Sequence, residues 1–230
     1  MDPDAGRSVA ARSIGKFWAT AAGREHRHDP VLQPSGGPAG NARLTAWTGI
    51  VLLPLFLAEV ATLLSLHQLI SWHIVLGTVL VPPALLKTAS TGWRIARYYT
   101  GHRAYVEAGP PPLLFRLLGP LVVITTLALL GTGLALVALG HDSAHTRLFA
   151  AGGLQVSALT LHQLSFILWA GATGLHLLGR TMSALRLAAP SPHGFVPGGI
   201  GRMLTLTATM ATAAVTAWLV LVAAGAWAGA

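Results

Sequence analysis

Five apolar runs, each about as long as a bilayer is thick, limit what this chain can fold into. They cover residues 44–66, 69–91, 117–139, 154–178 and 203–226. A spanning helix needs about 20 mostly apolar residues. In hydrocarbon the backbone must satisfy its own hydrogen bonds, so such runs fold as helices. The expected fold class is therefore all-α: an integral membrane helical bundle, with a four-helix core and a fifth transmembrane helix. Composition agrees. Only 10% of the 230 residues are charged, against about 25% in an ordinary soluble domain, and mean hydropathy is +0.62. The absence of cysteine excludes disulfides, thiol redox chemistry and thiolate-held iron–sulfur or zinc sites.

The net charge of +8 does not signal nucleic acid, because the cations sit in the N-terminal segment and in alternate loops. Arg24, Arg27 and Arg43 precede the first run. Arg94, Arg97, Arg103 and Arg116 follow the second, and Arg180, Arg186 and Arg202 follow the fourth. The opposite loops carry only Arg147. The positive-inside rule places the N-terminus in the cytoplasm and the C-terminus outside, in a multi-pass protein of the cell membrane. Residues 1–42, rich in Arg, Asp, Gly and Pro, read as a disordered cytoplasmic tail. Residues 181–202 read as a cytoplasmic loop, with the fifth helix within 203–230. The first two runs form a tight antiparallel hairpin around His67-Gln68. His67, His141, Asp142 and His145 read as outer-loop residues, and His26, His28, His102 and His193 as solvent-exposed.

Ionisable groups inside a bilayer are costly and need a reason. The third and fifth runs have none. The first has Glu59, the second His73 and Lys87, and the fourth His162 and His176. His162 and His176 are fourteen residues apart, about 40° short of four full turns, so they share a helix face about 21 Å long. His73 and Lys87 repeat that spacing. In a parallel pair of helices His73 meets His162 near the outer surface, and Lys87 meets His176 near the cytoplasmic one. Two facing imidazoles from two helices are what a bis-histidine b-type haem requires. Gly77, one turn after His73, leaves room for a ring edge. Ser165, Trp169 and Thr173 line the face between the two histidines of the fourth run. Arg94, Arg97 and Arg180 are candidates to pair with haem propionates, although topology alone accounts for them. Glu59 admits three roles: orienting a ligand histidine, accepting a proton from a quinol, or bonding a neighbouring helix. Pro82-Pro83 should kink the second run.

Residues 43–180, with LISWHIVLGTVLVPPALLK on the second run and LHQLSFILWAGATGLH on the fourth, resemble the membrane-bound b-type cytochromes, cytochrome b561-like and cytochrome b/b6-like. The resemblance implies two parallel helices holding two haems across the membrane. His73, His162 and His176 occupy three of the four ligand positions. Lys87 departs from the pattern. It is either an amine ligand opposite His176, a cation reaching the surface in the absence of an inner haem, or a free neighbour of a five-coordinate one. The resemblance also implies electron exchange between quinone and a separate redox subunit, molybdopterin- or hydrogenase-like in type, through one or two haems b. Two other readings use the same residues: a proton or metal-cation transporter lined by histidines, and a non-catalytic membrane anchor.

Overall fold

The computed structural model describes residues 3–22, 29–189 and 195–223. His26, His28, His193 and the end of the fifth apolar run lie outside them, as do the side chains of His141 and Asp142. The protein is mostly helical, 83%. Three stretches are long and apolar enough to cross a membrane: Gly37–Tyr99, Leu113–Gly140 and Gly199–Val222. Large apolar side chains on them face outward, among them Leu57, Ile124 and Leu204, each more than 60% exposed. Water tolerates such surfaces poorly and lipid tolerates them well. The chain is a membrane protein.

The first stretch contains α2 (Gly37–Thr62), a 3-10 turn at Leu63–Ser65 and α3 (Leu66–Tyr99). The reversal thus falls just before His67-Gln68, and both residues begin α3. The helix runs on through Pro82 and Pro83. A short α4 (Arg103–Glu107) precedes α5 (Leu113–Ala144). Gly140, at φ 77°, breaks α5 before its last turn, a backbone state that glycine adopts without strain.

Two expectations change. The fourth run does not begin as helix at 154, because β1 (Arg147–Ala151) and β2 (Leu154–Ser157) form an antiparallel hairpin. Gly152 and Gly153, both at positive φ, supply the two-residue turn that matches strand twist. The helix α6 therefore starts at Ala158 and ends at Ala188. It is not one of the three membrane-length apolar stretches, since His162, Gln163 and His176 dilute its hydropathy. The second change concerns the segment read as a disordered tail, which contains α1 (Pro3–Ala21). Phe17 is its anchor, 2% exposed and packed with Phe115, Leu118 and Ala172. A chain can order when it has one large apolar group to bury, even within a polar composition. The last helix, α7 (Gly199–Ala223), begins four residues before the fifth apolar run.

The chain divides into two compact units. The first takes Met1–Ile50, Lys87–Val122 and Ala172–Met203; the second takes Val51–Leu86, Val123–Gly171 and Leu204–Ala230. In the first, Thr45 and Asn41 of α2 bond Ser90 of α3, and Trp47 donates to the Ala188 carbonyl of α6. Arg202, expected in a loop, is 7% exposed and donates to the carbonyls of Ser35, Val196 and Pro197. In the second unit, Leu52 of α2 packs with Leu80 and Ala84 of α3 and with Leu130 of α5. Phe56 of α2 meets Trp169 of α6, ring centres 4.9 Å apart.

Candidate functional site

The second unit brings Glu59, His73 and His162 together. His73 Nδ1 lies 2.8 Å from the Thr62 hydroxyl and 3.1 Å from Glu59 Oε1. The Thr62 hydroxyl is also 2.5 Å from the Glu59 carbonyl. Two oxygens that close require a proton between them, and a carbonyl has none to give. The Thr62 hydrogen is therefore committed, and its oxygen can only accept from His73 Nδ1–H. His162 repeats the arrangement. Its Nδ1 is 3.1 Å from the Thr132 hydroxyl, which donates to the Ala128 carbonyl at 2.7 Å. Both rings thus carry their proton on Nδ1, which leaves each Nε2 with its lone pair. The ring centres are 6.3 Å apart and the ring planes are nearly perpendicular, at 86°.

Glycines set how closely these groups approach. A Cβ on Gly77 would meet Glu59 Oε1 at 3.2 Å, and one on Gly133 would meet His162 Cε1 at 3.2 Å. Gly77 therefore makes room for the carboxylate that borders His73, a different use from the ring edge expected of it. Glu59 Oε2 and Trp169 Nε1 are buried without a hydrogen-bond partner among the described residues.

The first unit holds Lys87, His176, Arg180 and Arg94, and here the partners differ. The Lys87 ammonium donates to the Thr45 carbonyl at 2.9 Å. It reaches that carbonyl through a notch at Gly49, where a Cβ would lie 2.7 Å from Nζ. His176 Nδ1 is buried with no partner among the described residues. Lys87 and Arg180 are the charges that act on it. Its edge meets the Phe115 ring, centres 6.4 Å apart, and Arg180 lies over that same ring at 5.2 Å. Arg94 pairs through both terminal nitrogens with Asp29, so a carboxylate of this chain already occupies the guanidinium read as a propionate partner. Arg97 rests on the Trp93 ring at 4.3 Å.

The sequence-predicted residues thus fall into two groups, one in each unit. Thr62, Thr132, Asp29 and the Phe17–Phe115 pair were not legible as partners, since each acts on a residue at least eleven positions away. No group of three or more His, Cys, Asp or Glu side chains is arranged to hold a metal ion among the described residues. An axial haem pair asks for less, two imidazoles, because the macrocycle supplies the remaining nitrogens. His73 and His162, neighbours with both Nε2 lone pairs available, are the residues that would hold such a haem. Lys87 and His176 do not fit it as they stand, because the amine is held on Thr45. Comparisons with protein-family models, with curated proteins and with solved structures return no match.

Proposed function

We propose that this chain is a membrane b-type cytochrome that holds one haem b between α3 and α6. The carrying observation is the pair His73 and His162, each with Nδ1–H fixed by a threonine and with ring centres 6.3 Å apart. Thr62 and Thr132 orient the rings and keep both Nε2 lone pairs available. Glu59, bordering His73 Nδ1, strengthens that ring as a donor. Trp169 and Phe56 supply an aromatic wall. When bound, haem supplies a one-electron Fe(III)/Fe(II) couple.

In this reading α2, α3, α5 and α6 form a four-helix core in the cell membrane, with α7 as a further span. The N-terminus is cytoplasmic and the C-terminus outside, as the loop arginines favour. The chain exchanges electrons with quinone and with a separate redox subunit, a role consistent with its small extramembrane content. Lys87 acts as a cation tethered to α2 rather than as an axial ligand, which gives one haem rather than two.

Replacing either histidine tests the assignment. His73→Ala and His162→Ala should each abolish the low-spin absorption of the purified protein. His176→Ala should leave it in place. A histidine-lined transporter would show no Soret absorption in any of these proteins and would show cation flux instead.

A further inference from the structure

In the first unit, α1 presents three different faces around its axis. Phe17 and Thr20, three residues apart, form the docked one. Phe17 is buried among Phe115, Leu118 and Ala172, and the Thr20 carbonyl accepts from the Ser183 hydroxyl of α6 at 3.5 Å. Ala11, Ile14 and Trp18 stand at i, i+3 and i+7 on one side of that face. All three are exposed, Ile14 by 55% and Trp18 by 60%. Arg12 and Lys16, one turn apart and also exposed, stand on the other side. Lys16 is two residues from Ile14 and two from Trp18, about 200° around the helix from each. The docked face therefore separates an apolar flank from a cationic one.

The seat of α1 fixes what that apolar flank meets. Phe115 is the third residue of Leu113–Gly140, a stretch long and apolar enough to cross a membrane. Pro110, Pro111 and Pro112 precede that stretch. Phe17 thus holds α1 where a membrane helix leaves the hydrocarbon. Two residues beyond Phe115, Leu117 is 68% exposed, so the lipid-facing surface of α5 begins at the same level. A helix held there, apolar along one flank and cationic along the other, matches the boundary between acyl chains and headgroups. Tryptophan favours that depth, where its ring is in apolar surroundings and its N–H meets water. A protein partner is a poorer match, because two large side chains offer far less than the roughly 1,000 Å² a stable interface needs. We propose that α1 is an interfacial helix whose exposed apolar flank binds the lipid surface. Ile14 and Trp18 enter the acyl boundary, and Arg12 and Lys16 stay with headgroups and water.

The chain has no cysteine, so one introduced cysteine carries one nitroxide label. Ile14→Cys, Trp18→Cys, Arg12→Cys and Lys16→Cys proteins, each labelled in nanodiscs of phosphatidylcholine and phosphatidylglycerol, test the proposal by electron paramagnetic resonance. Collision with oxygen, which concentrates in hydrocarbon, is compared with collision with a nickel chelate that stays in water. The oxygen-to-nickel ratio should be several-fold higher for the labels replacing Ile14 and Trp18 than for those replacing Arg12 and Lys16. All four positions are exposed, where substitution disturbs folding little, and each flank is read twice. The same contrast should hold in a His73→Ala background, so it does not depend on the haem assignment. Equal ratios on the two flanks would overturn the proposal. So would labels on the apolar flank shielded from both reagents, which would mark a protein partner or a second copy of the chain there.

Discussion

The two groups of intramembrane polar residues share a spacing and differ in what satisfies them. In the second unit, His73 and His162 each donate an Nδ1–H hydrogen bond to a threonine whose own hydrogen is spent on a helix carbonyl. In the first unit, His176 Nδ1 has no partner among the described residues, and Lys87 is tied to a carbonyl of α2. Matched fourteen-residue intervals suggest two equivalent sites. The hydrogen-bond partners make one a pair of imidazoles with fixed tautomers and leave the other with a tethered cation and an imidazole whose Nδ1 is unpartnered among the described residues. Ligand spacing along a helix is therefore a weaker signal than the groups that fix each ligand's free nitrogen.

The threonines are where this contrast breaks most easily. Thr62→Val with Thr132→Val removes the threonine acceptor of each Nδ1 proton while keeping side-chain volume, and leaves His73 Nδ1 only Glu59 Oε1 at 3.1 Å. Outer partners of this kind commonly contribute about 10–100-fold to metal-site affinity. The double variant should lose haem to apomyoglobin at least tenfold faster than the unaltered protein. An unchanged transfer rate would mean that the tautomers are set by something other than these hydroxyls.

A smaller effect separates the two glycines Gly171 and Gly179 of α6. A Cβ on Gly179 would lie 2.5 Å from Phe115 Cζ and 2.6 Å from Phe17 Cε2, whereas one on Gly171 meets nothing within 4 Å. Gly179→Ala should cost about 1–3 kcal/mol through overpacking, read as a lower thermal midpoint in detergent. Gly171→Ala should not lower it. The absorption spectrum should be unchanged in both, because neither glycine borders His73 or His162. Equal midpoints would show that Phe17 and Phe115 yield easily.

The smallest effect is expected at Lys87. Lys87→Met keeps an unbranched side chain of similar length and removes the cation. Haem content and spectrum should match the unaltered protein. A low-spin signal that turned high-spin on this change would make Lys87 a ligand and would restore the equivalence of the two groups.

Much of this was legible in the sequence, and the limits have physical causes. Apolar runs marked α2, α3, α5 and α7, since hydrocarbon leaves the backbone few other conformations. His73, His162, His176, Lys87 and Glu59 stood out because charge and imidazole are rare at such depth. Gly152-Gly153 carries a hairpin signal, yet the apolar residues around it read as the start of a span. The helical order of α1 rests on Phe17 finding Phe115, nearly a hundred residues away in the chain, which no local pattern encodes. Arg202 read as a loop cation because its type and position fit the positive-inside rule. Its partners, the carbonyls of Ser35, Val196 and Pro197, appear only once the chain is folded. Thr62 and Thr132 are ordinary residues by type, and only the folded helices bring them to imidazoles.

The central claim is one haem, held by His73 and His162. The most direct measurement is haem b per polypeptide, by pyridine haemochromogen assay on protein produced with ample haem supply. One per chain is expected. None would contradict the cytochrome reading and return the histidines to a transport or structural role. Two would contradict the distinction between the groups and make Lys87 and His176 a second ligand pair.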